Sequence, residues 1–494
     1  MRRCFLFFLY FFFLSFYAEG KFISPFDYGL NYAKDGKEVY YVLLRTHEAA
    51  IAQGCNVTYK GIKKLELEIP SDAISISLPQ IVDFHGVKII VKNNAKSFFL
   101  FSLSQETKAL SINKHDLSSL LFDKVKELEK GLYLLLIQDN NPWVEKRGGY
   151  DYGAYRKDVV VVKNGKGMNN VVYTYDTKWS MPQVAYVKVN NQVKKYYDLE
   201  FERTVDSRCM TWLFKIENQY NIHLNNINIQ TPKSDLYGDC AIQIRDCAKV
   251  TLKDVIINGT YSAKNKYGYG ISMNNVFDSK FIRLKGIGEW GVFGNYNINK
   301  AYLVDCDINR FDIHCYGKDV RCKNTIFREW YNQVSSFLGT ISFERCTFTH
   351  FVPILLEPSF SAYTPFIVKI KNCVFEVDIR RPYLIDAGYP SVMTNASREE
   401  IKSVNWPNIE IDRLKVNLPE GLKDWCLFWV NGKEAPVISG FSSVKIRKLI
   451  VNADAQITSV KLSNKPIATE EDLNLIISSS NVMMINNSDE NRAY

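Results

Sequence analysis

The chain has 494 residues, 46% of them hydrophobic and 14% aromatic, which excludes a disordered or low-complexity protein and allows a large core. The formal charge is +9, yet no run of lysines and arginines tracks a phosphate backbone, so nucleic acid is not an expected partner. A basic chain of this kind suits acidic glycans or anionic surfaces.

Residues 1–20, MRRCFLFFLYFFFLSFYAEG, join two arginines to an unbroken apolar run and the small-residue step Ala18-Glu19-Gly20. This is the order of a secretory signal peptide whose apolar stretch is too short for a comfortable membrane span. Export is therefore expected, to the periplasm, the cell surface or the medium, with no stable membrane insertion after cleavage. Residues 21–80 read as an N-terminal cap, with a short helix in RTHEAAIAQGCNV followed by the strand of GIKKLELEIP. Residues 92–195 break the pattern around them and read as an inserted α+β segment. It contains an amphipathic stretch, KVKELEKG, before the strand LYLLLIQD. Within it, residues 141–156 pack Trp143, Arg147, Tyr150, Tyr152, Tyr155 and Arg156 into a glycine-containing loop. That composition suits either glycan contact or plain packing. Residues 486–494 form a polar tail. The cysteines show no CxxC pair and no zinc spacing.

From about residue 200 one eight-residue pattern recurs: apolar, any, apolar, any, polar, small or apolar, any, apolar. It stands as IHLNNINI at 222–229, VTLKDVII at 250–257, AYLVDCDI at 301–308 and ISFERCTF at 341–348. It returns as VKIKNCVF at 368–375, IEIDRLKV at 409–416 and VKIRKLIV at 444–451. Taking the second apolar position as anchor gives Phe84, Phe201, Leu224, Leu252, Phe281, Leu303, Cys322, Phe343, Ile370, Ile411 and Ile446. Spacings in the range of a stacked supersecondary unit imply a solenoid. The apolar parity shifts after the fifth position, so each unit is two strands joined by a one-residue bend. Asn226, Asp254, Asp305, Asn324 and Asn372 occupy that bend, and Asn and Asp tolerate the left-handed conformation it needs. Cys306, Thr325, Cys346 and Cys373 follow as a column of small inward residues, read as packed thiols rather than disulfides because stacked parallel Cβ vectors suit a bridge poorly. The fold expected is all-β, a parallel β-helix over residues 81–485 interrupted by the 92–195 segment.

This organisation resembles the right-handed parallel β-helix proteins of the pectin-lyase-like superfamily, over roughly residues 81–480. The resemblance implies an exported carbohydrate-active protein, since members are often secreted polysaccharide lyases or glycosidases. Others are epimerases, phage tailspikes or adhesins. The Asp-Asp and Gly-His-Gly motifs of the polygalacturonase-like members are absent. No metal site and no cofactor are expected.

The stretch NRFDIHCYG at 309–317 carries the strongest chemical signal, because Arg310, Asp312 and His314 alternate with apolar residues on one extended strand. Counting from the anchors aligns Asp312 with Trp290 in the coil before and Tyr331 in the coil after. It adds Glu329, Gln333, Gly288 and, two coils on, His350. The expected site is thus an outward groove. Arg310 would pair with a uronate carboxylate, Asp312 would orient His314 as base, and Tyr331 would serve as acid. Trp290, Gln333 and His350 would bind the sugar chain. This serves β-elimination on an acidic polysaccharide. Hydrolysis by Asp312 and Glu329 is the alternative, since it needs two carboxylates about 5–10 Å apart. A surface ladder of ion pairs on a non-catalytic glycan-binding or structural β-helix would present the same residues.

Overall fold

The computed structural model describes residues 20–486 except for internal segments. Those are 95–96, 112–127, 129, 141–143, 148–149, 173–181, 205–210, 232–239, 260–268, 288–290, 316, 329–331, 335–336, 350–352, 357–365, 388–406, 431–443, 454–458, 464–474 and 478–481. The leader-like residues 1–19 and the tail from 487 lie outside the described residues. Among the described residues no helix is long and apolar enough to cross a membrane.

Strand pairing is parallel from coil to coil throughout the described solenoid. One inward file runs Val82, Tyr196, Leu224, Leu252, Phe281, Leu303, Cys322, Phe343, Ile370, Ile411 and Ile446, each paired with the next. This is a parallel β-helix, and its members from Val82 to Ile446 are buried. Each fully buried aliphatic side chain contributes about 1.5–3 kcal/mol, gained only when the coil above and the coil below are present. Three strands make a coil: the anchor strand, a second strand after the bend, and a third such as Phe311–Cys315.

The expected anchors Phe84 and Phe201 are corrected by this register to Val82 and Tyr196. Phe201 pairs instead with Ile229, at the end of the second strand. The reason is Lys194. It occupies the position that Ile222 fills one coil later, and its buried ammonium reaches the Tyr220 carbonyl at 3.4 Å, so the apolar pattern is broken where the coil begins.

The bend is left-handed from the Asp198 coil to the Asn372 coil. Asp198, Asn226, Asp254, Arg283, Asp305, Asn324, Arg345 and Asn372 have φ of 62°, 51°, 55°, 52°, 55°, 51°, 53° and 53°. Their side chains bond up the stack: Asn226 Nδ2 donates to Asp198 Oδ1 at 2.8 Å, and Asn324 Nδ2 to Asp305 Oδ1 at 2.8 Å. Arg283 makes a bidentate pair with Asp254. Asn324→Ala should lower stability by about 1–2 kcal/mol, because alanine resists the left-handed region, whereas Asn324→Gly should cost less. Urea unfolding of the two variants checks this, and an alanine variant as stable as the glycine one would contradict it. Behind the bend, Cys306, Cys346 and Cys373 are buried free thiols. Each donates to the carbonyl two residues back, at 3.4, 3.6 and 3.4 Å.

Helix Gly36–Gln53 closes the first coil. Asp35 caps it by accepting from Lys37 N and Glu38 N at 3.0 and 2.8 Å, and Gly54 ends it at φ 63°. Tyr40, Leu43 and Ala50 enter the same core as Val82 and Phe84. His47 lies wholly buried against Tyr59 and Phe101, with Nε2 2.9 Å from the Tyr59 hydroxyl. Burial pushes its pKa from 6.5 down to about 3. The unfolded chain therefore takes up this proton first. The stability contributed by the neutral ring is complete above about pH 6.5 and declines as the pH falls towards 3, by at most about 1.4 kcal/mol per pH unit. The wild type should lose more stability than His47→Gln between about pH 7 and pH 5 in urea titrations; equal losses would refute the assignment.

Strand Phe98–Ser104 pairs with Thr211–Glu217 and so completes a coil. After it comes a five-stranded antiparallel sheet built on Leu132–Asp139, Lys157–Lys163 and Pro182–Val189. One face, with Leu134, Val159, Val161 and Val187, packs on Tyr220, Ala248 and Phe277 at a corner of the solenoid. In the amphipathic KVKELEKG stretch, residues 124–127 and 129 lie outside the described residues.

Candidate functional site

The Arg310-Asp312-His314 strand belongs to the third sheet, with Phe311 and Ile313 in the core. Alternation therefore places the three polar side chains on the opposite face. They are not exposed there: Arg310 and Asp312 are 0% exposed and His314 is 4% exposed. This corrects the expectation of an open outward triplet.

The guanidinium of Arg310 is committed to Asp312. Its Nε donates to Oδ1 at 2.8 Å and Nη2 pairs with Oδ2 in a bidentate contact. Arg310 thus neutralises a carboxylate of its own strand, and this overturns its assignment to a substrate uronate. Burial pushes the Asp312 carboxyl up, while Arg310, the Tyr269 hydroxyl and the Gln333 backbone N–H pull it back.

Asp312 does not orient His314 directly. A tyrosine stands between them: the Tyr269 hydroxyl is 3.1 Å from Asp312 Oδ2 and 2.5 Å from His314 Nε2. Asp312 pairs with Gly294, whose own neighbour on the other side is Ser272, on the strand of Tyr269. Tyr269 therefore spans two spacings of about 4.8 Å. It does so by laying its ring over Gly294, where a Cβ would collide with the ring carbons. Glycine is needed here for close approach. The register shifts between Asn295 and Tyr296 opposite Ile313 and Cys315, so His314 sits in a bulge. Its ring stacks on Tyr296 at 5.1 Å and 19°, and Tyr269 meets it edge-on at 5.5 Å. Tyr269 and Tyr296 are half-buried and carry the cluster to the surface.

Of the other expected site residues, Gln333 is brought in: it is 3% exposed and its backbone N–H donates to Asp312 Oδ1 at 3.4 Å. Trp290, Glu329, Tyr331 and His350, with Gly288, lie outside the described residues. The expected alignment is nonetheless replaced, since Asp312 stands beside Gly294 and Gln333 rather than Trp290 and Tyr331. Asn332, which anchoring did not single out, fastens the strand by accepting from Phe311 N and donating to the Pro353 carbonyl, both at 2.9 Å. Tyr269, Gly294 and Tyr296 were likewise missed. The one linear hint is a glycine in the outward file between residues that carry side chains.

Strands Val144–Arg147 and Tyr150–Ala154 pair as a hairpin. Asn297, next to Tyr296, accepts from Lys157 N at 3.0 Å and donates to the Tyr155 carbonyl at 3.2 Å, pinning the base of the hairpin. Among the described residues no group of three or more His, Cys, Asp or Glu gathers as metal ligands.

The pairings and the buried polar cluster define a right-handed parallel β-helix with a tyrosine–histidine contact on its third sheet. No family model and no curated sequence matches the chain. Among solved structures, the tailspike protein gp49 from Pseudomonas phage LKA1 is similar to it with a TM-score of 0.55 and 12% identity. The match covers 92% of this chain and 84% of that one. The tailspike gp61 of Pseudomonas phage phi297 aligns over 94% and 84% of the two chains at 12% identity, with a TM-score of 0.41. The first of these likenesses supports the β-helix fold.

Proposed function

We propose that the chain is a carbohydrate-active β-helix protein that cleaves an acidic polysaccharide by β-elimination, outside the cytoplasm. The observation that carries this reading is the 2.5 Å contact between the half-buried Tyr269 hydroxyl and His314 Nε2. An imidazole at that distance can take the phenolic proton, and the phenolate can then take the proton beside a uronate carboxyl. The same hydroxyl, reprotonated, can return a proton to the leaving oxygen. Asp312, held by Arg310, positions the hydroxyl from its other side. Elimination is favoured over hydrolysis because the carboxylate in this cluster is buried and paired with Arg310, a poor state for a nucleophile or base. The +9 charge favours an acidic polymer.

The burial of Arg310, Asp312 and His314 supports a second reading, a glycan-binding or surface-structural β-helix in which the triplet only locks the third sheet. Incubation with polygalacturonate, alginate and hyaluronate separates the two. Elimination yields an unsaturated, ultraviolet-absorbing product; hydrolysis yields reducing ends without that absorbance; binding without either product sustains the second reading.

A further inference from the structure

Beyond Asp312 the outward file of the third sheet continues through four more coils. Ile313 pairs with Val334, which sets Asp312 beside Gln333; Gln333 pairs with Leu355, Leu355 with Asp386, and Asp386 with Trp429. At about 4.8 Å per coil, Trp429 stands about 19 Å from Asp312 along the same face.

Around Asp386 and Trp429 this file is built differently from its middle. Trp429 is 37% exposed, although it stacks on the Tyr383 ring at 5.2 Å and 17°, which holds the indole in one orientation. Asp386 beside it is 5% exposed, and its Oδ1 is withdrawn from solvent with no hydrogen-bond partner. Its Oδ2 lies 3.6 Å from Arg381 Nη1, beyond hydrogen-bond length. Burial pushes this carboxyl up, against the pull of Arg381 and of the Tyr383 hydroxyl. A carboxylate whose Oδ1 makes no hydrogen bond, one coil from an exposed indole stacked on Tyr383, offers an apolar platform together with a hydroxyl acceptor.

We infer that Trp429 and Asp386 form a saccharide subsite, in which a hexose ring of the polymer stacks its C–H face on Trp429 and donates a hydroxyl to Asp386, with Arg381 at the rim. An indole face suits the polarised C–H bonds of a pyranose. The position in one file with Asp312 has the sugar chain run along the helix axis, so this inference rests on the proposed glycan substrate but not on the elimination chemistry.

The test uses long and short oligosaccharides of polygalacturonate, alginate and hyaluronate, titrated calorimetrically into the full chain. Trp429→Ala and Asp386→Asn should each weaken binding of the long oligosaccharides about tenfold. Neither should change the turnover of fragments too short to reach from Tyr269 to Trp429. Melting curves accompany each variant, and Trp429→Phe, which keeps a ring, should retain most of the affinity if Trp429→Ala fails to fold. Long-chain affinity unchanged in both variants, while the wild type still cleaves, overturns the subsite and leaves the proposed reaction standing. Affinity lost in both variants, with no cleavage by the wild type, keeps the subsite and removes the reaction. Wild-type protein that binds none of these glycans overturns the subsite outright.

Discussion

Tyr269→Phe should reduce turnover by about 10²–10⁴-fold, the range over which a positioned acid or base contributes. The substitution removes one hydroxyl and nothing else. The ring still fills the space over Gly294, and the loss of contacts to Asp312 and His314 costs only about 1 kcal/mol of stability. KM should move little, because the hydroxyl acts on the reacting proton rather than on the body of the polymer. A pH–rate profile separates catalysis from packing, since the wild type should show an acid–base limb that the variant lacks. A variant with full activity would remove the tyrosine–histidine contact from any mechanism and return the triplet to a structural role.

The second large effect is on folding. Asp312→Ala should destabilise the chain by about 3–5 kcal/mol, because it leaves the Arg310 guanidinium fully buried without its carboxylate. The double variant Arg310→Met with Asp312→Leu should recover most of that loss, since a buried pair replaced by apolar groups of similar volume is often neutral. Urea denaturation of the single and double variants gives the comparison directly. A single variant as stable as the wild type would mean that water reaches Arg310 freely, contrary to its burial. The positioning role of Asp312 can be tested on the double variant, where activity should stay low because nothing positions Tyr269 from the Asp312 side.

These two expectations depend on different levels of information. The repeat, the inward file from Leu224 to Ile446 and the left-handed bends at Asn226, Asp254, Asp305, Asn324 and Asn372 were legible in the chain itself. Each is a local consequence: a strand must alternate, a coil must bury its apolar face, and a one-residue bend favours residues that tolerate positive φ. Where a polar residue took an apolar position, as Lys194 does, the local signal failed and the anchor fell on Phe201 instead of Tyr196.

The site was legible only as far as one strand. Arg310, Asp312 and His314 were picked out by their alternation, but their neighbours depend on how third strands of successive coils line up. The stretches from Phe281 to Gly294, from Leu303 to Asp312 and from Cys322 to Gln333 differ in length, so counting from the anchors slips. Tyr269 lies 43 residues before Asp312 and reaches it only because Gly294 has no side chain. Burial was decided at the same level. Alternation says which face a side chain takes, and it determined that Arg310 and Asp312 point away from the core. Whether that face meets water depends on what the rest of the fold lays across it, and here it turned three apparently exposed groups into an enclosed ion pair and a histidine reached through a tyrosine.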